Sequence, residues 1–289
     1  MPRLGLTGGM AYYFNPMNLL KQGLLGLYYY TSYPYRRRQN RRRAAAGRAP
    51  VMVLFYHRIA DEHANDWTCG CDVFARQVRW MKRHFDLVSL AEAQRRIRDG
   101  TRRPAISITF DDGYADNCRM ALPLLISQQV PCTYFVSLRH VSEGVPFEHD
   151  VARGQTIAVN TIEQLRTLAS AGVEIGAHTR THANLGALDD DAQLYDEIVT
   201  AGRELQEAVG APVRYFAFPY GQYANLNRRA FAMAREAGYE AVCSAYGGFH
   251  FPGDDDFHLQ RIHADPDLIR LKNWLTVDPR KLRVPRYEC

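Results

Sequence analysis

The chain has 289 residues, 46% of them hydrophobic and 23% charged, which is ordinary for a globular protein with a sizeable core. Its net charge of +5 belongs to one end: residues 1–50 carry nine basic residues and no acidic one, and taking those nine charges away leaves residues 51–289 at −4. The basicity is therefore no nucleic-acid footprint of the folded part, and none of the six cysteines forms the C-x-x-C pair of a structural zinc site.

Residues 1–49 read as a separate segment, rich in Tyr and Gly and then in Arg. Leu19 to Tyr30 is apolar, but Lys21 and Gln22 interrupt it and Arg36 to Arg43 follow it. A signal peptide has its positive charges first, and the run is too short to span a bilayer. Two readings stay open. One is a disordered or loosely attached tail. The other is a segment on an anionic membrane surface, which apolar and aromatic residues beside six close arginines would suit. Together with the scattered cysteines, this favours a cytoplasmic or membrane-peripheral protein.

From residue 50 to 289 the pattern is that of one folded domain. Val51–Tyr56 is an apolar run of strand formers. Val73 to His84 has helical spacing, with Phe74, Val78 and Met81 on one face. Ala91 to Arg98 is a second helix, closed by Gly100, and Ala105–Phe110 a buried strand. Met120 to Gln128 (helix) and Cys132–Val136 (strand) follow. Val141 to Asn160 is a long connection without periodicity, suited to a lid or substrate loop. Thr161 and Gln164 form a capping box for a helix that Gly172 closes. Then come a strand at Val173–Ala177, a helix from Asp189 to Val209, a strand from Tyr215 to Phe218, a helix from Asn227 to Ala237 and a strand from Glu240 to Ser244. This alternation predicts a parallel sheet with crossover helices, open or closed.

Three clusters stand at strand ends, where α/β proteins place their sites. Ser107–Phe110 runs directly into Asp111-Asp112-Gly113-Tyr114. Neighbouring side chains at a strand end point opposite ways, so one carboxylate can bind a metal while the other takes a proton from water. Asp-Gly is also an ordinary turn. His178-Thr-Arg-Thr-His182 follows the next strand but one; on a helix, its two imidazoles would share a face and reach one cation. Phe218-Pro-Tyr-Gly221 sets a sharp turn that can expose backbone N–H groups to a developing oxyanion.

The order of these clusters resembles the polysaccharide deacetylases with a NodB-homology domain, carbohydrate esterase family four, over roughly residues 50–275. Thr109-Phe-Asp-Asp-Gly-Tyr114, His178-Thr-Arg-Thr-His182 and Phe218-Pro-Tyr-Gly221 look like its first three motifs. The resemblance implies a distorted, incomplete (β/α) barrel. It implies a divalent metal, usually zinc, on Asp112, His178 and His182. Asp111 would be the general base and the Tyr220 backbone N–H part of the oxyanion hole. The substrate would be an N-acylated amino sugar or polysaccharide, hydrolysed by metal-activated water, with no nucleic acid as partner. His263 is the candidate for the fifth-motif catalytic histidine. The family's base-orienting Arg, two residues before the third-motif Pro, is replaced by Ala217. That departure, with Phe55-Tyr-His-Arg58 and Arg261-Ile262, resembles the branch tied to exopolysaccharide modification. Trp67, Trp80 and Trp274 could stack on sugar rings. The same residues would serve a sugar deformylase or a small-amide amidohydrolase, and an inactive carbohydrate-binding homologue is the alternative outside catalysis.

Overall fold

A computed structural model describes residues 16–282 and 284–287; the reading of residues 1–15 lies outside them. The apolar runs become strands β1 (Val51–Tyr56), the short pair β2 (Arg58–Ile59) and β3 (Thr68–Cys69), β4 (Asp86–Leu87), β5 (Ala105–Phe110), β6 (Cys132–Val136), β7 (Glu174–Ala177), β8 (Tyr215–Ala217), β9 (Ala241–Cys243), β10 (His258–Leu259) and β11 (Arg261–His263). Their order in the main sheet is β10-β9-β8-β7-β6-β5-β1-β11, all parallel, with β4 also beside β5. Only Gln260 separates β10 from β11, yet they lie at opposite ends of that order. One stretch of chain thus pairs with β9 on one side and β1 on the other, and nearly closes the sheet. This is the distorted, incomplete (β/α) barrel that the motifs imply.

The strands read as continuous apolar runs because both faces are buried. Met52, Leu54 and Tyr56 join Ile106, Ile108 and Phe110 in the cluster shared with the helices. Val51 and Val53 alternate into a second cluster with Ala105, Phe135, Tyr215, Ala217 and Cys243, the barrel interior. Ser107, Thr109, Thr133 and Arg261 occupy buried interior positions too. The interior therefore turns polar toward the C-terminal ends of the strands.

Leu90, Ala93 and Ile97 of the helix Leu90–Asp99 belong to the interior cluster. Ser89 caps that helix by accepting from Glu92 N. Gln94 Nε2 donates to Glu240 O at 2.9 Å and Asp256 O at 3.0 Å, just before β9 and β10. The helix plugs the N-terminal end of the barrel and leaves the other end open.

The largest departure from the sequence reading is Pro16–Ala45, which forms a helix rather than a loose tail. It packs on the helix Leu268–Leu275. Arg36 is buried and donates to Asn273 O (2.9 Å), Asn273 Oδ1 (2.8 Å) and Thr276 Oγ1 (3.0 Å). Asn273 Nδ2 returns a bond to Leu25 O at 3.1 Å. Removing the guanidinium strands buried acceptors, so Arg36→Ala is expected to cost about 1–3 kcal/mol. Arg37→Ala, exposed one residue on, should change stability by less than about 0.5 kcal/mol. Urea denaturation of the two variants measures the difference.

Candidate active site

A cavity of about 440 Å³ opens at the C-terminal ends of the strands, with Asp111, Asp112, His178, His182 and Tyr220 in its wall. Asp111 and Asp112 follow β5 directly. Asp111 N–H donates to Tyr56 O at 2.9 Å, which keeps the chain in register with β1. The chain then turns through two left-handed residues, Asp112 (φ 74°) and Gly113 (φ 87°). Asp112 accepts that conformation despite its Cβ, a strain of the kind concentrated at functional sites. Gly113 has no side-chain alternative: a Cβ there would lie 3.1 Å from Val136 Cγ1. The turn sends the two carboxylates different ways.

Asp111 meets Arg261 in a bidentate pair, Nη1 to Oδ1 at 2.7 Å and Nη2 to Oδ2 at 2.8 Å. Arg261 is fully buried and also donates to Thr109 Oγ1 and Ser244 O. Burial alone would raise the Asp111 pKa; Arg261, His178 and His57 outweigh it and hold the carboxyl below its ordinary value.

Asp112 turns toward the histidines. Its Oδ1 lies 3.5 Å from His178 Nε2 and 3.3 Å from His182 Nε2. His178 Nδ1 sits 2.7 Å from Ala217 O, so that nitrogen carries the proton and Nε2 presents its lone pair. Burial lowers the His182 pKa, which favours its neutral form. For Asp112 burial would raise the pKa, but the two histidines carry it well below the ordinary value. The result is a carboxylate oxygen without a hydrogen-bond partner facing two imidazole nitrogens, all within 4.8 Å of one another. Asp112 Oδ1 and His178 Nε2 turn lone pairs toward one spot with His182 Nε2 beside them, a donor set that suits a cation. Zinc ligands at about 2.0–2.2 Å in a tetrahedron sit about 3.4 Å apart, and the two spacings from Asp112 fit.

The histidines converge, but not on a helix as the sequence suggested. Residues 178–182 are loop, with Thr179 (φ 65°) and His182 (φ 61°) left-handed. Carboxylates from the helical stretch after Asp190 hold this loop. Glu197 accepts from Arg180 N, Thr181 N and Thr181 Oγ1, while Arg180 pairs with Asp196 and Glu204. A π-helical turn at Asp196–Thr200 interrupts the stretch there, a frequent feature of functional sites. Tyr220 is also left-handed (φ 60°), and its N–H has no backbone carbonyl partner among the described residues.

A family model described as "Polysaccharide deacetylase" matches residues 98–242. The chain belongs to the polysaccharide deacetylase family. Its activity class is that of a hydrolase of carbon–nitrogen bonds, and the family implies a carbohydrate substrate. YxkH of Bacillus subtilis (strain 168) is 22% identical over 223 residues, 76% of this chain and 73% of YxkH. Among solved structures, IcaB from Ammonifex degensii has a TM-score of 0.64 at 23% identity, covering 79% of this chain and 97% of IcaB. Streptococcus pyogenes deacetylase PplD in complex with acetate has 0.65 at 19%, covering 79% and 99%. At these identities the structures share the fold.

Two features of this deacetylase escaped the sequence reading. The Arg missing at Ala217 has a counterpart in Arg261, which reaches Asp111 from β11, with only β1 between it and β5. An arginine inside an apolar strand was the available signal. His263 does not line the cavity; its ring packs against Phe55, His57 and Trp67, which do, and burial pushes its pKa down to about 4. His57, at the end of β1, lines the wall in its place, with His149, His178 and His182. Its Nδ1 is buried without a hydrogen-bond partner, and burial lowers its pKa despite Asp112 and Asp111 nearby. Trp67 and the connection after Val141 also reach the cavity, the latter through His149 and Arg153; Trp80 and Trp274 do not. Arg153 pairs with Asp66 at 2.7 Å, and Asn65 with Asp150 at 2.9 Å, so this connection is tied to the loop before β3.

Removing the Arg261 charge takes away the strongest of the groups that oppose burial at Asp111. For Arg261→Gln the carboxyl pKa should therefore rise, and the acidic limb of the kcat/KM profile should move to higher pH. Breaking so buried a pair is also expected to destabilise the fold by about 3–5 kcal/mol at neutral pH, less in acid where Asp111 is protonated. A pH–rate profile with denaturation at two pH values checks both.

Proposed function

We propose that the chain is a metal-dependent deacetylase that removes N-acetyl groups from amino sugars of a polysaccharide, within the exopolysaccharide-associated branch. The observation that carries this reading is the convergence of Asp112, His178 and His182 beside the Asp111–Arg261 pair in one open cavity. A divalent cation, zinc by preference, held by those three residues would polarise the acyl carbonyl and ease deprotonation of a nearby water. Asp111 accepts the water proton. Arg261 takes one lone pair from each of its oxygens and fixes the carboxylate plane, and the remaining lone pairs serve as base. As water oxygen bonds to the acyl carbon, the Tyr220 N–H donates to the oxygen that gains negative charge. The C–N bond then breaks, and the proton that Asp111 took from water passes by way of His57 to the departing amine. The lowered pKa of His57 keeps it neutral until it takes up that proton and lets it release the proton readily. Trp67, partly exposed at the cavity wall, offers a face for a sugar ring. A carbohydrate binder without catalysis would need neither the buried carboxylate pair nor the cluster of three donors, which speaks against that alternative.

Asp111→Asn is expected to lower hydrolysis of an N-acetylglucosamine oligomer by about 10²–10⁴-fold while metal still binds. Asp112→Asn should weaken the metal instead, so excess zinc should restore it in part and leave Asp111→Asn unchanged. Equal rescue of the two would mean that their roles are exchanged. His57→Gln should slow amide hydrolysis strongly but aryl acetate hydrolysis little, because a phenolate leaves without a proton. Equal loss on both substrates, or a larger selective loss in His263→Gln, would remove His57 from the role of acid.

A further inference from the structure

The helix Pro16–Ala45 docks through one side, where Tyr29 and Arg36 are buried. Its other side is built in two halves. Leu20, Leu24, Leu27, Tyr30 and Tyr35 are each at least 58% exposed. Arg37, Arg38, Arg41 and Arg42 follow, all exposed. Leu20, Leu24, Leu27, Tyr35, Arg38 and Arg42 follow one another at helical spacing, so the apolar and basic halves share one stripe; Tyr30, Arg37 and Arg41 flank it, the two arginines beside a groove that Trp80 and Phe85 also line. Single exposed leucines are normal on a soluble protein, but a stripe on one helix is not. No carboxylate pairs with these four arginines among the described residues, and residues 1–50 contain no acidic side chain.

We propose that this face docks on an anionic lipid bilayer, with the leucines and tyrosines in the interfacial layer and the arginines against acidic headgroups. Charge complementarity selects the occupant. A soluble polyanion would use the arginines and leave five apolar side chains in water. A second copy of this helix would bring arginine against arginine if parallel and arginine against leucine if antiparallel, and in neither case would it meet a negative charge. A bilayer with acidic headgroups satisfies both halves at once. No helix among the described residues is long and apolar enough to cross a membrane, so the helix lies along the surface. The Arg36 bonds make that surface a rigid part of the enzyme. After the helix, Arg48 bridges to Thr101 and Ala105 N–H donates to Pro50 O, so the chain enters the barrel at the N-terminal ends of β1 and β5. The cavity lies at their C-terminal ends. Docking therefore leaves the catalytic mouth open, and the inference is independent of the reaction assigned above.

Co-sedimentation of the full chain with phosphatidylcholine vesicles, with and without phosphatidylserine, tests this. Binding is expected only with phosphatidylserine and should weaken as salt rises. At about fivefold per arginine, the quadruple variant Arg37→Gln, Arg38→Gln, Arg41→Gln, Arg42→Gln should lose at least about a hundredfold in affinity. Leu20→Ser, Leu24→Ser, Leu27→Ser should also weaken binding, and neither variant should alter melting temperature or hydrolysis of a soluble small substrate. Equal binding to both vesicle types, binding to a soluble polyanion but to neither vesicle, or a dimer that the leucine variant dissolves would each overturn the proposal.

Discussion

The contact on which the rest depends is the buried bidentate pair between Arg261 and Asp111. It joins the strand that closes the barrel to the strand that delivers the two adjacent carboxylates of the cavity. Arg261 sits on β11 and Asp111 just past β5, and β1 lies between them. The pair therefore spans the top of the barrel across one strand. With both partners almost wholly buried, neither can be left alone. Closure of the sheet and ionisation of Asp111 become one constraint. A barrel left open at β11 would leave Asp111 buried without its guanidinium partner, which favours the protonated form.

The second constraint is backbone strain. Asp112, Thr179, His182 and Tyr220 all have φ between 60° and 74°, and all belong to the three motif loops. Each such residue costs of order 1–3 kcal/mol. The cost is offset locally rather than by the motifs themselves. Glu197 and Arg180 hold the histidine loop, and the π turn at Asp196–Thr200 lets the adjacent Asp196 and Glu197 both face it. The geometry of the histidine loop thus rests on carboxylates outside every motif.

This division explains what the sequence made legible. β1, β5 and β6 could be bounded to the residue because buried parallel strands are uninterrupted apolar runs. Asp111, Asp112, His178 and His182 stood out because they sit at strand ends in a family order. The partner of Arg261 was hidden because the pair forms between residues 150 apart in the chain; the arginine inside an apolar strand was visible, but not what it faces. His57 was hidden because an imidazole after an apolar strand looks like any surface histidine. The helix Pro16–Ala45 was hidden by Gly23, Gly26 and Pro34, which weaken helical propensity. Tertiary contact through Arg36 supplies what propensity lacks.

Charge accounts for the remaining feature, the tolerance of two adjacent buried carboxylates. Asp111 and Asp112 both have lowered pKa values in spite of burial, so both are anionic at neutral pH. Arg261 neutralises one of them. Burial lowers the pKa of His57 and His182, so neither imidazole supplies a lasting positive charge against the other. The protein groups alone then leave the cavity with an excess negative charge next to the place where a further negative charge must develop. On the function proposed above, a dication between Asp112, His178 and His182 would reverse that sign, and the wall would be net positive when the carbonyl oxygen gains its charge. Burial favours the neutral form of His182, which a ligand needs, and the same burial denies the Asp112 carboxylate the water that would otherwise offset its charge. The donor set and the electrostatics proposed for the reaction thus share one cause, the depth of the site in the barrel.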